Sequence, residues 1–159
     1  MAVALDDLDS RILDLLLRDG RAPVSQIADQ VGLSRPAVAE RIEKLERLGV
    51  IRGTTAVVSP SLVGRPVTAF VAARGASLDT KGWRRFRELM KGDEVLEVHT
   101  VAGDDCYLIK VRTDSIASLN RIVNAFTAPP LSLATRTTIV MQTHCEKVGG
   151  IMIGEEVAK

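Results

Sequence analysis

Between residues 24 and 48, apolar positions recur at helical spacing. Val24, Ile27, Ala28 and Val31 fall on one face of a first helix. Gly32 comes next, where the chain must turn tightly, and Leu33 is placed to reach back into a core. Ser34 is a good N-cap, and Pro36 stands near the first helical position, where its missing N–H is harmless. Val38, Ile42, Leu45 and Leu48 then repeat at intervals of four, three and three, a narrow buried stripe that ends at Gly49. Upstream, residues 9–18 form a further helix. Leu5 and Leu8 lead into Ile12, Leu15 and Leu16, Leu13 and Leu17 widen the apolar face, and Asp19-Gly20 closes it.

Two short helices joined by a glycine turn and packed on a third predict a helix-turn-helix, whose second helix enters the major groove of double-stranded DNA. At about 100° per residue, Arg41, Lys44 and Arg47 form a basic staircase beside an acidic one of Glu40, Glu43 and Glu46. Two readings of these charges stand side by side. In one, Glu40–Lys44 and Glu43–Arg47 pairs lace a solvated helix, worth about 0.2–0.5 kcal/mol each. In the other, the basic edge meets phosphates while Arg35, Ala37 and Glu40, just past Ser34, approach bases. Turn, cap and basic edge together favour DNA binding for the segment.

Residues 50–58 are β-rich and predict a strand leading out of the head, in which Arg52 reads equally as a phosphate contact or an exposed linker arginine. Ser59-Pro60, Gly64 and Pro66 punctuate the adjoining stretch, so a domain boundary is expected there. Beyond it the pattern predicts a strand at 67–74 and a helix at 80–91, packing through Trp83, Phe86, Leu89 and Met90. Strands at 95–101 and 106–112 form a hairpin around Ala102-Gly103-Asp104-Asp105. A helix capped by Asp114 or Ser115 runs to Phe126 and is broken by Pro129-Pro130, and a long last strand spans 134–145. The order βαββαβ is that of a ferredoxin-like split βαβ unit, with both helices on one face of an antiparallel sheet. The expected class is therefore α+β: a head over 1–50, a strand linker over 51–65, a ferredoxin-like body over 66–148 and a loose tail over 149–159. A second subunit is the expected cover for the free sheet face.

Composition changes the picture at three points. Aromatic residues make up only 3% of the chain, which predicts aliphatic cores. The formal net charge is +1, and through Val58 eight Lys/Arg stand against nine Asp/Glu. Bulk attraction to nucleic acid is therefore absent, and non-specific affinity, which comes from phosphate neutralisation, must come from local arrangement and from two subunits acting together. Cys106 and Cys145 form no disulfide framework. With no basic, apolar leader and no run of about 18 apolar residues, a cytoplasmic protein without membrane attachment is expected.

The segments LDDLDSRILDLLLRDGR, IADQVGLS, LERLGVIRG and VAGDDCYLIKV, in this order and spacing, resemble the Lrp/AsnC (feast/famine) transcription regulators over nearly the whole chain. The resemblance implies a cytoplasmic, non-enzymatic regulator that dimerises through its body, assembles further into octamers, and carries no cofactor. It also implies a small-molecule effector, commonly an amino acid, held in a cleft between dimers. Thr100, Val101, Gly103, Asp104, Asp105 and Cys106 correspond to the loop lining that cleft, with Thr135 and Thr137 of the last strand as further candidates. Chemically, Gly103 frees backbone N–H groups for a carboxylate and Asp104 or Asp105 suits an ammonium; a plain solvated turn has the same composition. Two positions depart from the family pattern: Cys106 replaces an acidic residue, and Thr54 replaces an aromatic one, which predicts looser packing between head and body.

Two other classes compete. Relatives of this type include porphyrin-modifying decarboxylases, but the only histidines, His99 and His144, are both expected in strands and do not converge on a pocket. A metal or redox sensor would rest on His99, Cys106, His144 and Cys145. Adjacent His144 and Cys145 point to opposite faces of a strand, no Cys-x-x-Cys spacing exists, and packing as small hydrophobes explains the cysteines. No metal site is expected.

Overall fold

The computed structural model describes residues 3–146, so the tail expected over 149–159 lies outside the described residues. The chain forms two compact units, Met1–Val57 and Val58–Cys145, each with its own core. The first holds α1 (Asp7–Arg18), α2 (Val24–Val31) and α3 (Arg35–Arg47). Helix α1 starts two residues before the expected point because Asp6 is its N-cap, the carboxylate accepting the Asp9 N–H at 2.7 Å. Gly32 takes the left-handed conformation (φ 72°) that closes α2, and Ser34 caps α3 through the Ala37 N–H. Ile12, Ile27, Ala28, Val31 and Val38 make an aliphatic core. Leu48 does not join the stripe predicted for α3: it is 47% exposed, just past the last helical residue.

The second unit carries β1 (Val67–Arg74), α4 (Thr80–Met90), β2 (Val95–Thr100), β3 (Tyr107–Thr113), α5 (Ile116–Thr127) and β4 (Ala134–Ile139). The antiparallel sheet has the order β2-β3-β1-β4, which is the expected split βαβ topology. Ala69, Val71, Ala73, Ile109 and Val111 point to one face and meet Phe86 of α4 and Leu119, Ile122 and Phe126 of α5. On the other face, Phe70 and Leu108 remain exposed. This core is not purely aliphatic. Trp83, Phe86, Tyr107 and Phe126 gather at centroid distances of 4.8 to 6.3 Å, so four of the chain's five aromatic rings lie at one junction of α4, α5 and β3.

Two strand expectations are corrected. Residues 50–58 form no strand: Val57 and Val58 are 75% and 57% exposed, and a β-prone stretch without a ladder partner has nothing to satisfy its backbone. The last strand stops at Ile139 instead of continuing to 145. Its pairing with β1 ends with Ile139 opposite Ala69 and the Val140 N–H on the Thr68 carbonyl, and residues 141–145 have no ladder partner to hold them as a strand. His144 and Cys145 consequently come after the sheet without belonging to it. The Thr54 methyl lies against Gly20, 2.9 Å from where a Cβ would stand, so this part of the linker packs within the head's own unit.

Phe86 packs against the rings of Trp83, Tyr107 and Phe126 and is 1% exposed. Phe86→Ala is expected to destabilise the body by about 3–5 kcal/mol, read as a lower denaturant midpoint for its transition.

Candidate DNA interface and ligand loop

The staircase of Arg41, Lys44 and Arg47 is not a face. Each three-residue step turns the helix back by about 60°, and the three cations part company accordingly. Arg41 Nη1 donates to Asp9 Oδ1 at 2.6 Å and to Asp6 Oδ2 at 2.7 Å, and Lys44 Nζ donates to Asp9 Oδ2 at 3.0 Å. Lys44 thus pairs with α1 and not with Glu40 on its own helix. Arg47 stays exposed. Asp9 has no exposed side-chain surface, whereas the side chains of Arg41 and Lys44 are 26% and 43% exposed.

The electrostatics are set by this geometry. Burial raises the Asp9 carboxyl, but hydrogen bonds from Lys44 and Arg41 outweigh it and leave the group below its ordinary value. Asp6 is lowered by the Asp9 N–H and then by Arg41, and Arg41 is raised by the two carboxylates. Of the other residues expected at DNA, Arg35, Glu40 and Arg52 are exposed, Ala37 is half-buried, and the Ser34 hydroxyl is 3.4 Å from the Ala37 N–H it caps. Sequence reasoning missed Asp6 and Asp9. A readable signal was present, since an N-cap carboxylate and a second acid three residues later share one end of α1.

In the body, residues 101–106 join β2 to β3. The Val101 N–H donates to the Cys106 carbonyl at 3.0 Å, and the Cys106 N–H to the Ala73 carbonyl at 2.9 Å, which anchors the loop to the central strand. Gly103 sits at φ 130° with open space where a side chain would project, and Asp104 is exposed. Asp105 Oδ2 accepts from Arg136 Nη2 at 3.0 Å; Arg136, on β4 between Thr135 and Thr137, is 77% exposed. Sequence reasoning passed over this arginine although it named both neighbours. Pairing sets Thr100 opposite Tyr107, Tyr107 opposite Ala73 and Ala73 opposite Thr135, one row at the loop end of the sheet. Thr137, opposite Val71, stands two rows away. Cys106 is half-buried with its thiol 3.8 Å from the Gly75 carbonyl. His99 Nε2 lies 3.2 Å from Glu97. Among the described residues no three His, Cys, Asp or Glu side chains are grouped to hold a metal ion.

Comparison with known proteins bears on both regions. Residues 5–46 match the AsnC-type helix-turn-helix domain and 68–149 the Lrp/AsnC ligand binding domain. The chain is 36% identical over 146 residues to the HTH-type transcriptional regulator FL11 of Pyrococcus abyssi, covering 92% of this chain and 95% of that one. It is 34% identical to the HTH-type transcriptional regulator LrpA of Mycobacterium tuberculosis, covering 90% and 94%. The fold superposes on the feast or famine regulatory protein of M. tuberculosis complexed with L-methionine, with TM-score 0.79, 33% identity and coverage of 90% and 96%.

A carboxylate whose value is lowered on folding stabilises the protein above its unfolded value, about 4, and that contribution is lost as pH falls through the lowered one. Asp9→Asn is expected to lower head stability by about 2 kcal/mol at pH 7, with the gap to the parent protein closing toward pH 3. Thermal melts across that range check it; a gap of constant size would show that the charge of Asp9 plays no part.

Proposed function

Because the chain belongs to the Lrp/AsnC family of DNA-binding transcription regulators and is not an enzyme, we propose that it reads specific DNA sites with α3 and responds to an amino acid held by the 101–106 loop. The observation that carries the ligand reading is the loop itself: an open Gly103, an exposed Asp104, and the Asp105–Arg136 pair beside them. Backbone N–H groups freed at Gly103 suit a carboxylate, and Asp104 suits an ammonium, with Asp105 already answered by Arg136. The L-methionine in the M. tuberculosis structure supports the same ligand class. Thr100, Val101, Cys106 and Thr135 line the loop end of the sheet in this reading, with Thr137 behind them.

At DNA, Arg35, Ala37 and Glu40 approach bases from the end of α3 that Ser34 caps, and Arg47 and Arg52 meet phosphates. The head spans 1–50, the linker 51–65 and the body 66–148. A homodimer covers the sheet face bearing Phe70 and Leu108 and presents two heads to a palindromic site. Assembly of dimers to an octamer brings their loops together, and the amino acid shifts the population between assemblies or head orientations. No helix among the described residues is long and apolar enough to cross a membrane; a cytoplasmic location fits a regulator of DNA.

Two experiments test this. Arg47→Gln is expected to flatten the plot of log affinity against log salt by about 0.9 for each phosphate that is no longer neutralised; an unchanged slope removes Arg47 from the phosphate set. A thermal-shift screen of the twenty amino acids, with oligomer size and Trp83 fluorescence recorded, tests the ligand reading, since Trp83 packs on Tyr107 at the loop's end. A true ligand at 100 times its Kd stabilises by about 2.7 kcal/mol, and Asp104→Asn should abolish that shift while sparing unliganded DNA affinity. No shift at millimolar concentration for any amino acid would overturn the ligand class.

A further inference from the structure

The acidic end of α1 has no assigned part in DNA recognition, yet it holds two of the four cations on the recognition helix, Arg41 and Lys44. Asp9 lies fully buried with both carboxylate oxygens occupied, one by Arg41 at 2.6 Å and the other by Lys44 at 3.0 Å. Asp6 adds a third contact to Arg41 at 2.7 Å while capping α1, and the Asp9 N–H ties the two acids together. Arg41 and Lys44 are one turn apart on α3, so the carboxylate of Asp9 grips the helix at two successive levels. Gripped at two levels, α3 can neither roll about its axis nor slide along α1 without breaking a charge-assisted bond to a group that has no water to turn to. The apolar contacts of Val38 and Leu45 hold α3 down but do not fix its rotation in this way, because aliphatic packing is non-directional.

We infer that Asp9 is a positioning residue for DNA recognition, setting the rotation of α3 through Arg41 and Lys44, and that these two cations are not phosphate ligands. Charge supports the assignment. The four groups Asp6, Asp9, Arg41 and Lys44 sum to zero, so the cluster carries no net attraction for a phosphate backbone. A phosphate could recruit Arg41 or Lys44 only by stripping a partner from a buried carboxylate, which is unfavourable. DNA affinity is then left to the exposed cations of α3, Arg35 and Arg47.

The salt dependence of binding to a labelled random-sequence duplex separates this role from direct contact. Arg41→Gln and Lys44→Gln should weaken binding without changing the slope of log affinity against log salt. A slope reduced by about 0.9 per phosphate in either variant would overturn the inference. Asp9→Asn supplies the second arm. It removes a negative charge from the DNA-binding unit, so electrostatics alone would tighten binding. Positioning predicts the opposite, a loss of about tenfold at temperatures where circular dichroism shows the head folded. Tighter binding by Asp9→Asn would mean that the carboxylate merely competes with DNA for the two cations. If Asp9→Asn does not fold, the slopes of the two cation variants decide.

Discussion

A carboxylate removed from water must be answered by charge or by hydrogen bonds, because the ionised form is far costlier to bury than any neutral side chain. In the head that carboxylate is Asp9, and its two answers come from a helix 32 and 35 residues further along the chain. The aliphatic core formed by Ile12, Ile27 and Val38 brings α1 and α3 together, but aliphatic packing tolerates small rotations. The charged cluster does not. It converts a loosely specified helix pair into one with a fixed relation between α1 and the helix that reads DNA, and it does so with side chains that composition alone would assign to the solvent.

The body is organised around a different constraint. Strand β1 pairs on both sides, with β3 and β4, so its length and register limit both neighbours. The last strand leaves β1 after Ile139, while Val67 and Thr68 of β1 go on pairing with β3, and the 101–106 loop is fixed by the Ala73 carbonyl near the other end of β1. Helices α4 and α5 seal one face through Phe86 and Phe126, and Tyr107, next to Cys106, joins the same ring cluster. Rigid packing therefore reaches the edge of the loop and stops there. Gly103 and Asp104 project beyond it, which is the combination a binding loop requires: a fixed frame with adaptable residues at the tip.

Cys106, where many family members carry an acid, is accommodated without a charged partner: its thiol faces the Gly75 carbonyl. The acidic contact of this region is instead made by Asp105 with Arg136, one residue earlier in the loop. Thr54 illustrates the same economy of space, since its methyl fits against Gly20 because that position has no side chain.

What the sequence by itself determined was the periodic content. Helical spacing in residues 24–48, the cap at Ser34, the turn at Gly32 and the βαββαβ order were all legible, because each is set by residues within a few positions of one another. The first body strand was legible to the residue, since VTAFVAAR is bounded by Pro66 and Gly75. Tertiary structure decided the rest, for reasons local pattern does not contain. Residues 50–58 have strand composition but no partner, and residues 140–145, expected to prolong the last strand, are not paired as a strand. Above all, a basic staircase on one helix is indistinguishable in sequence from a DNA-facing edge. Only the approach of α1 shows that Arg41 and Lys44 pair with Asp9 while Arg47 stays exposed, because the energy of a charge depends on what is folded against it.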